Sequence, residues 1–148
     1  MDDTELVMTP LQIDLVQDSF ALIVPRRAEA SAIFYQRLFA LAPDTRILFK
    51  GDLVDQGRKL MQVLATIVRN LGDLGPLLAS VDYLAQRHVG YGVRDEHYAL
   101  VGEALIETLR ECLGDSFTER TERAWGFAYT ILSGRMIRAA RAWRELAA

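Results

Sequence analysis

Two histidines, His88 and His97, and one cysteine, Cys112, are the only imidazole and thiol side chains in the 148 residues. Leu77, Val81, Leu84 and His88 follow one another at steps of 4, 3 and 4, which is one stripe of a 3.6-residue period. Pro76 suits a first helical position, and Gly90 and Gly92 stop the helix just past the histidine. His88 is therefore predicted on the last turn of a short helix, turned toward an apolar interior. An imidazole there has two uses. It can be a core histidine satisfied by its neighbours, or it can be a metal ligand. The stripe alone leaves both open. No Cys/His cluster has zinc spacing, no Gly-x-Ser-x-Gly is present, and Gly90-Tyr91-Gly92 is too short for a phosphate loop. Asp2-Asp3 pairs two carboxylates, but at the terminus. Side chains alone offer little for hydrolysis, so chemistry here would come from a cofactor.

The elements that position His88 read as helices throughout. Thr9-Pro10-Leu11-Gln12 is a capping box with proline at the first helical position. Ile13, Val16, Phe20 and Ile23 continue it as a stripe, and Pro25 interrupts it. A second helix is predicted from about Arg27 to Ala42, with Ala28, Ala32, Tyr35 and Phe39 on one face and Ser31, Phe34 and Leu38 beside it. Pro43-Asp44 opens a short helical turn carrying Ile47, Leu48 and Phe49, and Asp52 is a good cap for a helix over about Leu53–Leu71. Its inward face is read as Gln56, Leu60, Val63 or Leu64, and Ile67. Gln56 is then either a buried amide needing partners or a residue at the solvent edge. After the His88 helix, Asp95 caps a helix to about Leu113, with Tyr98, Val101, Leu105 and Leu109 as its stripe. Ser116-Phe117-Thr118-Glu119 reads as a second capping box, and the last helix carries Trp125, Tyr129, Leu132 and Met136 to about Leu146. The fold class is all-α, with six substantial helices and one short one. Unequal helix lengths argue against a simple four-helix bundle.

Composition bounds the rest. A hydrophobic fraction of 51% and a charged fraction of 25% are globular values, and a chain of this length suits one domain with a true core. A net charge of −3 with scattered basic residues shows no nucleic-acid footprint. The arginines between Arg135 and Arg144 read as the solvated face of the terminal helix rather than a membrane or RNA patch. A lone cysteine, expected as a small core residue, allows no internal disulfide and fits a reducing cytoplasm. No apolar run is long enough for a membrane span, the acidic start Met1–Glu5 is unlike a signal peptide, and no C-x-x-C-H motif for covalent haem attachment occurs.

Short motifs then line up in order. They are Phe34-Tyr35, Pro43, Leu48-Phe49, Gln56-Gly57-Arg58-Lys59-Leu60-Met61, Arg87-His88-Val89-Gly90-Tyr91-Gly92-Val93, His97-Tyr98-x-x-Val101-Gly102 and Ala124-Trp125-x-x-Ala128-Tyr129. Together they resemble the bacterial single-domain globins, of the branch with flavohaemoglobin globin domains and Vitreoscilla-type haemoglobins. The resemblance runs from about Leu11 to Tyr129. It implies a globin fold of about six to seven helices around a haem pocket. One globin domain would span 1–148, with 1–9 a mobile N-terminal extension. The cofactor implied is non-covalent haem b, its iron held by His88.

The resemblance also implies roles for further residues. Tyr35 matches the distal tyrosine. Gln56 stands where animal globins have a distal histidine. Phe49 matches the phenylalanine stacked on the haem, Leu60 the apolar residue over the iron, and Val93 a proximal contact near Leu84. Tyr35 and Gln56 would donate hydrogen bonds to bound O2. Lys59 or Arg58 would either reach a haem propionate or remain solvated. His97 matches a polar, exposed position. Tyr98 and Tyr129 match tyrosines of the proximal network, whose glutamate position, eleven residues after Tyr129, is Ala140 here. Without that carboxylate the imidazole gains less anionic character. The function implied is reversible O2 binding, as carrier or store, with CO and NO as further diatomic ligands. The alternative is NO dioxygenation served by a separate reductase, since no reductase domain is expected within the chain. Gas sensing comes third, for want of an output domain.

Overall fold

The structure is a computed structural model and describes residues 7–147. Six α-helices follow in order: α1 (Pro10–Ile23), α2 (Arg27–Leu41), α3 (Leu53–Arg69), α4 (Leu78–Gly90), α5 (Asp95–Leu113) and α6 (Glu119–Ala147). Short 3-10 turns join several of them, over Val24–Arg26, Pro43–Leu48, Gly75–Leu77 and Gly114–Ser116. No strand occurs among the described residues. Most of the expected extension over 1–9 lies outside the described residues. Of its described part, Met8 is buried in the core and Thr9 caps α1.

The caps explain where helices begin. Thr9 N–H donates to Gln12 Oε1 at 2.8 Å, and Gln12 N–H donates back to Thr9 Oγ1 at 3.2 Å, the reciprocal box that satisfies two free donors. Asp52 Oδ1 accepts from Val54 N–H at 3.0 Å at the start of α3. Two expected caps differ. Asp95 lies inside the first turn of α5, where Arg141 Nε (2.9 Å) and Arg144 Nη1 (3.1 Å) hold its carboxylate; the cap is made instead by His97, whose Nδ1 accepts from Arg94 N–H at 2.9 Å. At α6 it is Thr118, not Ser116, whose hydroxyl accepts from Thr121 N–H at 3.2 Å, because Gly114–Ser116 is taken up by a 3-10 turn.

Burial decides which faces of α2 and α3 meet the core. On α2 the core face is Ala30, Ser31, Phe34, Tyr35 and Leu38, while Ala28 and Ala32 are exposed. On α3 the buried residues are Gly57, Met61 and Val68, and Gln56 is exposed. Gly57 sets that phase. A Cβ there would stand 2.6 Å from Ser31 Oγ and 2.8 Å from Ser31 Cβ, so α2 and α3 cross in direct contact at a residue with no side chain.

The core falls into two parts. A large cluster joins α1, α2, α3, α5 and the first half of α6, with Val16, Ile23, Leu38 and Trp125 at its centre. Burying a side chain of this kind stabilises the fold by about 1.5–3 kcal/mol. Trp125 Nε1 donates to Ser19 Oγ at 2.8 Å, so the indole is both packed and satisfied. A smaller cluster holds Val81 and Ala85 of α4, Tyr98 of α5 and Met136 of α6, edged by Leu84, Val93 and Leu132. α4 packs on α6, and α3 packs on α2 and α1; α3 and α4 share no packing face. α3 thus belongs to the large cluster and α4 to the small one.

Candidate functional site

His88 lies where its stripe predicts, on the last turn of α4, and its ring is mostly buried. Its Nδ1–H donates to Leu84 O at 2.7 Å, four residues earlier. That bond fixes the tautomer and leaves Nε2 with a free lone pair. Burial, first, and then the charge of Arg87 push the ring pKa down, against the pull of the Leu84 carbonyl, and so favour the neutral, ligating form. The chain beyond His88 is anchored to it, since Val93 N–H and Tyr91 N–H donate to His88 O at 3.0 and 3.1 Å. Leu84 and Val93 are half-buried at the edge of the small cluster.

In the large cluster, Tyr35 is buried in an aromatic box. Its ring stands 5.3 Å from Phe49, 5.2 Å from Phe34 and 6.0 Å from Phe39, and Phe39 and Phe49 are 5.6 Å apart. Such edge-to-face pairs hold rings beyond what area burial gives. Burial alone pushes the Tyr35 hydroxyl up to about 12, so it stays protonated and able to donate. It makes no hydrogen bond among the described residues. Phe49 and Leu60 are half-buried against the same cluster, with Leu64 and Ile67 continuing the Leu60 wall along α3.

The structure therefore places Tyr35, Phe49 and Leu60 with the large cluster, and Leu84 and Val93, on either side of His88 in sequence, with the small one. Gln56 stands exposed on the first turns of α3, at the solvent edge rather than among the buried residues. Arg58 and Lys59 are exposed too, and both turn to Asp55, the lysine at 3.5 Å.

Tyr98 and Tyr129 part company. The Tyr98 ring lies over His88, centroids 6.5 Å apart and planes 25° apart, and its hydroxyl is buried without any hydrogen-bond partner. Ala140, at the position of the missing carboxylate, is buried as well. Tyr129 uses its hydroxyl on the Tyr98 carbonyl at 2.6 Å, and its ring covers Gly102, where a Cβ would fall 2.6 Å from Cε2. It braces α6 on α5. An open groove of about 620 Å³ runs along this α5–α6 seam past Gly102, Ile106, Tyr129 and Ile137; none of Tyr35, Phe49, Leu60 or His88 lines it.

His97 departs most from expectation. It is 4% exposed rather than solvated, because Arg94 N–H occupies Nδ1 and the Asp44 carboxylate lies 3.1 Å from Nε2. Two contributors carried no signal strong enough to single them out, Phe39 in the aromatic box and Gly57 at the α2–α3 crossing. A glycine inside a helical pattern is the cue for the second.

The structure has enough to hold a flat, largely apolar cofactor with a metal. One imidazole has its outer nitrogen without a partner, half-buried apolar side chains stand at the edges of both clusters, and a protonated phenol is held in an aromatic box. Among the described residues no group of three or more His, Cys, Asp or Glu could hold a bare metal ion, and no helix is long and apolar enough to cross a membrane.

Comparison with known proteins agrees. The family model described as Globin matches residues 32–136. The Flavohemoprotein of Vibrio cholerae is 30% identical over 130 residues, which are 86% of this chain and 33% of that protein. The Flavohemoprotein of Bordetella pertussis is 36% identical over 118 residues, 78% of this chain and 29% of that one. The chain thus spans about a third of the length of these relatives. The solved structure of a bacterial globin from Campylobacter jejuni superposes with a TM-score of 0.81, covering 93% of this chain and 99% of that one at 24% identity; that likeness concerns the fold.

Proposed function

The chain belongs to the globin family, and from that premise we propose that it is a haem protein which binds O2 reversibly, with His88 as the iron ligand. Haem, when bound, would supply the iron that takes up a diatomic gas, with the His88 imidazole as its holding ligand. The observation that carries this reading is the His88 ring, with Nδ1 tied to Leu84 O at 2.7 Å and Nε2 without a hydrogen-bond partner on a half-buried imidazole. A core histidine would have both nitrogens satisfied.

The remaining residues follow from that arrangement. Phe49, Leu60, Leu84 and Val93 exclude water from the faces of the cofactor, which is non-covalent haem b. Tyr35 donates its O–H toward the ligand, a bond to a polarised acceptor worth about 1.5–3 kcal/mol. Gln56 adds its amide N–H by swinging inward from the rim of α3. CO and NO bind at the same place. Lys59 and Arg58 are free to exchange Asp55 for a propionate, because exposed ion pairs are weak. The protein works in the cytoplasm, where its single thiol stays reduced.

A second reading, oxygenation of NO with electrons from a separate reductase, is favoured by the likeness to two flavohemoproteins. Against it stands the proximal side. The imidazole hydrogen-bonds to a backbone carbonyl, and Ala140 brings no carboxylate to the unpartnered Tyr98 hydroxyl, so electron push through His88 is modest.

Absorption spectra of the purified chain, ferric, reduced and then with CO, test the proposal. A Soret band shifting at each step, and lost or altered in His88→Ala, is the expected result. No Soret band after adding hemin to the wild-type chain refutes it. Cellular NO consumption that disappears on deletion, together with a cognate reductase, would move the assignment to the second reading.

A further inference from the structure

Phe49 and His88 are carried by segments far apart in sequence, and one polar cluster ties those segments together. The Pro43–Leu48 turn leads into Phe49, and the corner Tyr91–Arg94 follows His88. Asp44 in the turn meets Arg94 at the end of the corner and His97 in the first turn of α5. Arg94 Nη2 donates to Asp44 Oδ2 at 2.8 Å, and His97 Nε2 lies 3.1 Å from the same oxygen. Because His97 Nδ1 accepts from Arg94 N–H, a neutral ring carries its proton on Nε2 and donates it to that carboxylate. His97 is buried while Asp44 and Arg94 stand at the surface, so the buried imidazole is a fixed post to which a surface carboxylate is fastened.

A second contact joins the same two segments. Gly92, at φ +91°, approaches Leu48 so closely that a Cβ would be 3.4 Å from Leu48 Cδ2. The corner is also held from its other side, where Arg144 Nη2 of α6 donates to Val93 O at 3.1 Å. The stretch after His88 is thus pinned to α6 by Arg144 and to the Pro43–Leu48 turn by Asp44 and His97.

We propose that Asp44, Arg94 and His97 form a clamp across the edge of the haem crevice, with His97 a positioning residue that fixes the distance between the Phe49 wall and the His88 wall and slows escape of the cofactor. The cofactor part rests on the haem reading above; the clamp itself concerns only this chain. A purely local role for His97 would be to cap α5. Asp44 separates the two, since it is no part of α5 and its removal leaves the Arg94 N–H bond to His97 in place.

Two measurements decide it. The first is hydrogen exchange by mass spectrometry on the purified chain, with and without added hemin. Asp44→Ala is expected to speed exchange several-fold at 45–49 and at 91–95 together, and His97→Leu to do the same. Arg37→Gln breaks an ion pair of similar exposure between α2 and α5, and is expected to change neither segment. The second is transfer of hemin from the loaded protein to an excess of apo-globin scavenger. Asp44→Ala is expected to lose hemin about 3- to 10-fold faster than wild type, with Arg37→Gln unchanged. Faster exchange at only one segment, or at neither, overturns the clamp, as does an unaltered hemin loss rate in Asp44→Ala. If wild type takes up no hemin, the haem reading fails and the exchange experiment alone decides the clamp.

Discussion

Tyr98 and Tyr129 carry the same phenol, stand in neighbouring helices, and should respond to loss of their hydroxyls with opposite signs. The Tyr98 hydroxyl is enclosed and makes no hydrogen bond. Burying a hydroxyl without a partner costs about 1–3 kcal/mol, a cost that Tyr98→Phe removes. The void left is the size of one oxygen atom and returns only a few tenths of a kcal/mol at about 24 cal/mol per Å³. The expected net effect is stabilisation by about 1–2 kcal/mol, with Tm rising by roughly 2–4 °C per kcal/mol in a chain of this size. Tyr129→Phe instead breaks the 2.6 Å bond to the Tyr98 carbonyl, an acceptor that keeps its partner in the α5 ladder, so it should destabilise by about 0.5–1.5 kcal/mol. Urea denaturation of wild type and both variants, followed by far-ultraviolet circular dichroism at constant m-value, reads both signs. Loss of stability in Tyr98→Phe by more than about 0.5 kcal/mol would refute the reasoning, because it would mean that the hydroxyl has a partner, such as an ordered water.

Three further outcomes follow. Gly57→Ala places a Cβ 2.6 Å from Ser31 Oγ; overpacking of about 1–3 kcal/mol outweighs the helix-propensity gain of about 1 kcal/mol, and a double-mutant cycle with Ser31→Gly should show the penalty relieved. Tyr35→Phe should speed O2 dissociation several-fold or more in stopped flow, and an unchanged off-rate would remove that hydroxyl from the distal side. Side-chain hydrogen bonds from Arg26, His97, Arg58, Arg135 and Arg141 hold Glu29, Asp44, Asp55, Asp82 and Asp95, in that order, below the ordinary carboxylate range. Groups with a lowered folded pKa stabilise above the unfolded value, about 4, and that contribution fades as pH falls through the folded value. The urea midpoint should begin to fall below about pH 6.5, where the half-buried His88 must take up a proton, and fall further below about pH 5 as the carboxylates protonate, that acid limb being less steep in Asp82→Asn and Asp95→Asn and in high salt; a midpoint that rises in acid would contradict the assignment.

The helices were legible because their signals are local. The Thr9/Gln12 box, Asp52 as a cap, the span of α5 and the inward turn of His88 depend on residues within two turns of one another, where period and capping chemistry operate. Even so, a period identifies which residues share a face and not which of two adjacent faces meets the core. On α3 the faces through Gln56 and through Gly57 are one residue apart, and the close crossing of α2 at Ser31 decided for Gly57. On α2 the same contact sided with Ser31 and Phe34, beside Tyr35, and left Ala28 and Ala32 exposed.

What the amino-acid order determined by itself was an all-helical chain carrying one inward imidazole between an aromatic segment near Tyr35 and Phe49 and a glycine-broken corner. Only the tertiary structure decided the fate of groups whose partners lie tens of residues away. His97 reads as an ordinary polar residue until Asp44, distant by 53 positions, closes on it. Tyr98 and Tyr129 look alike until one hydroxyl finds a carbonyl 31 positions back and the other finds nothing. Burial and hydrogen bonding at such separations depend on how helices cross, and a crossing is settled by the packing of whole faces rather than by any short stretch of sequence.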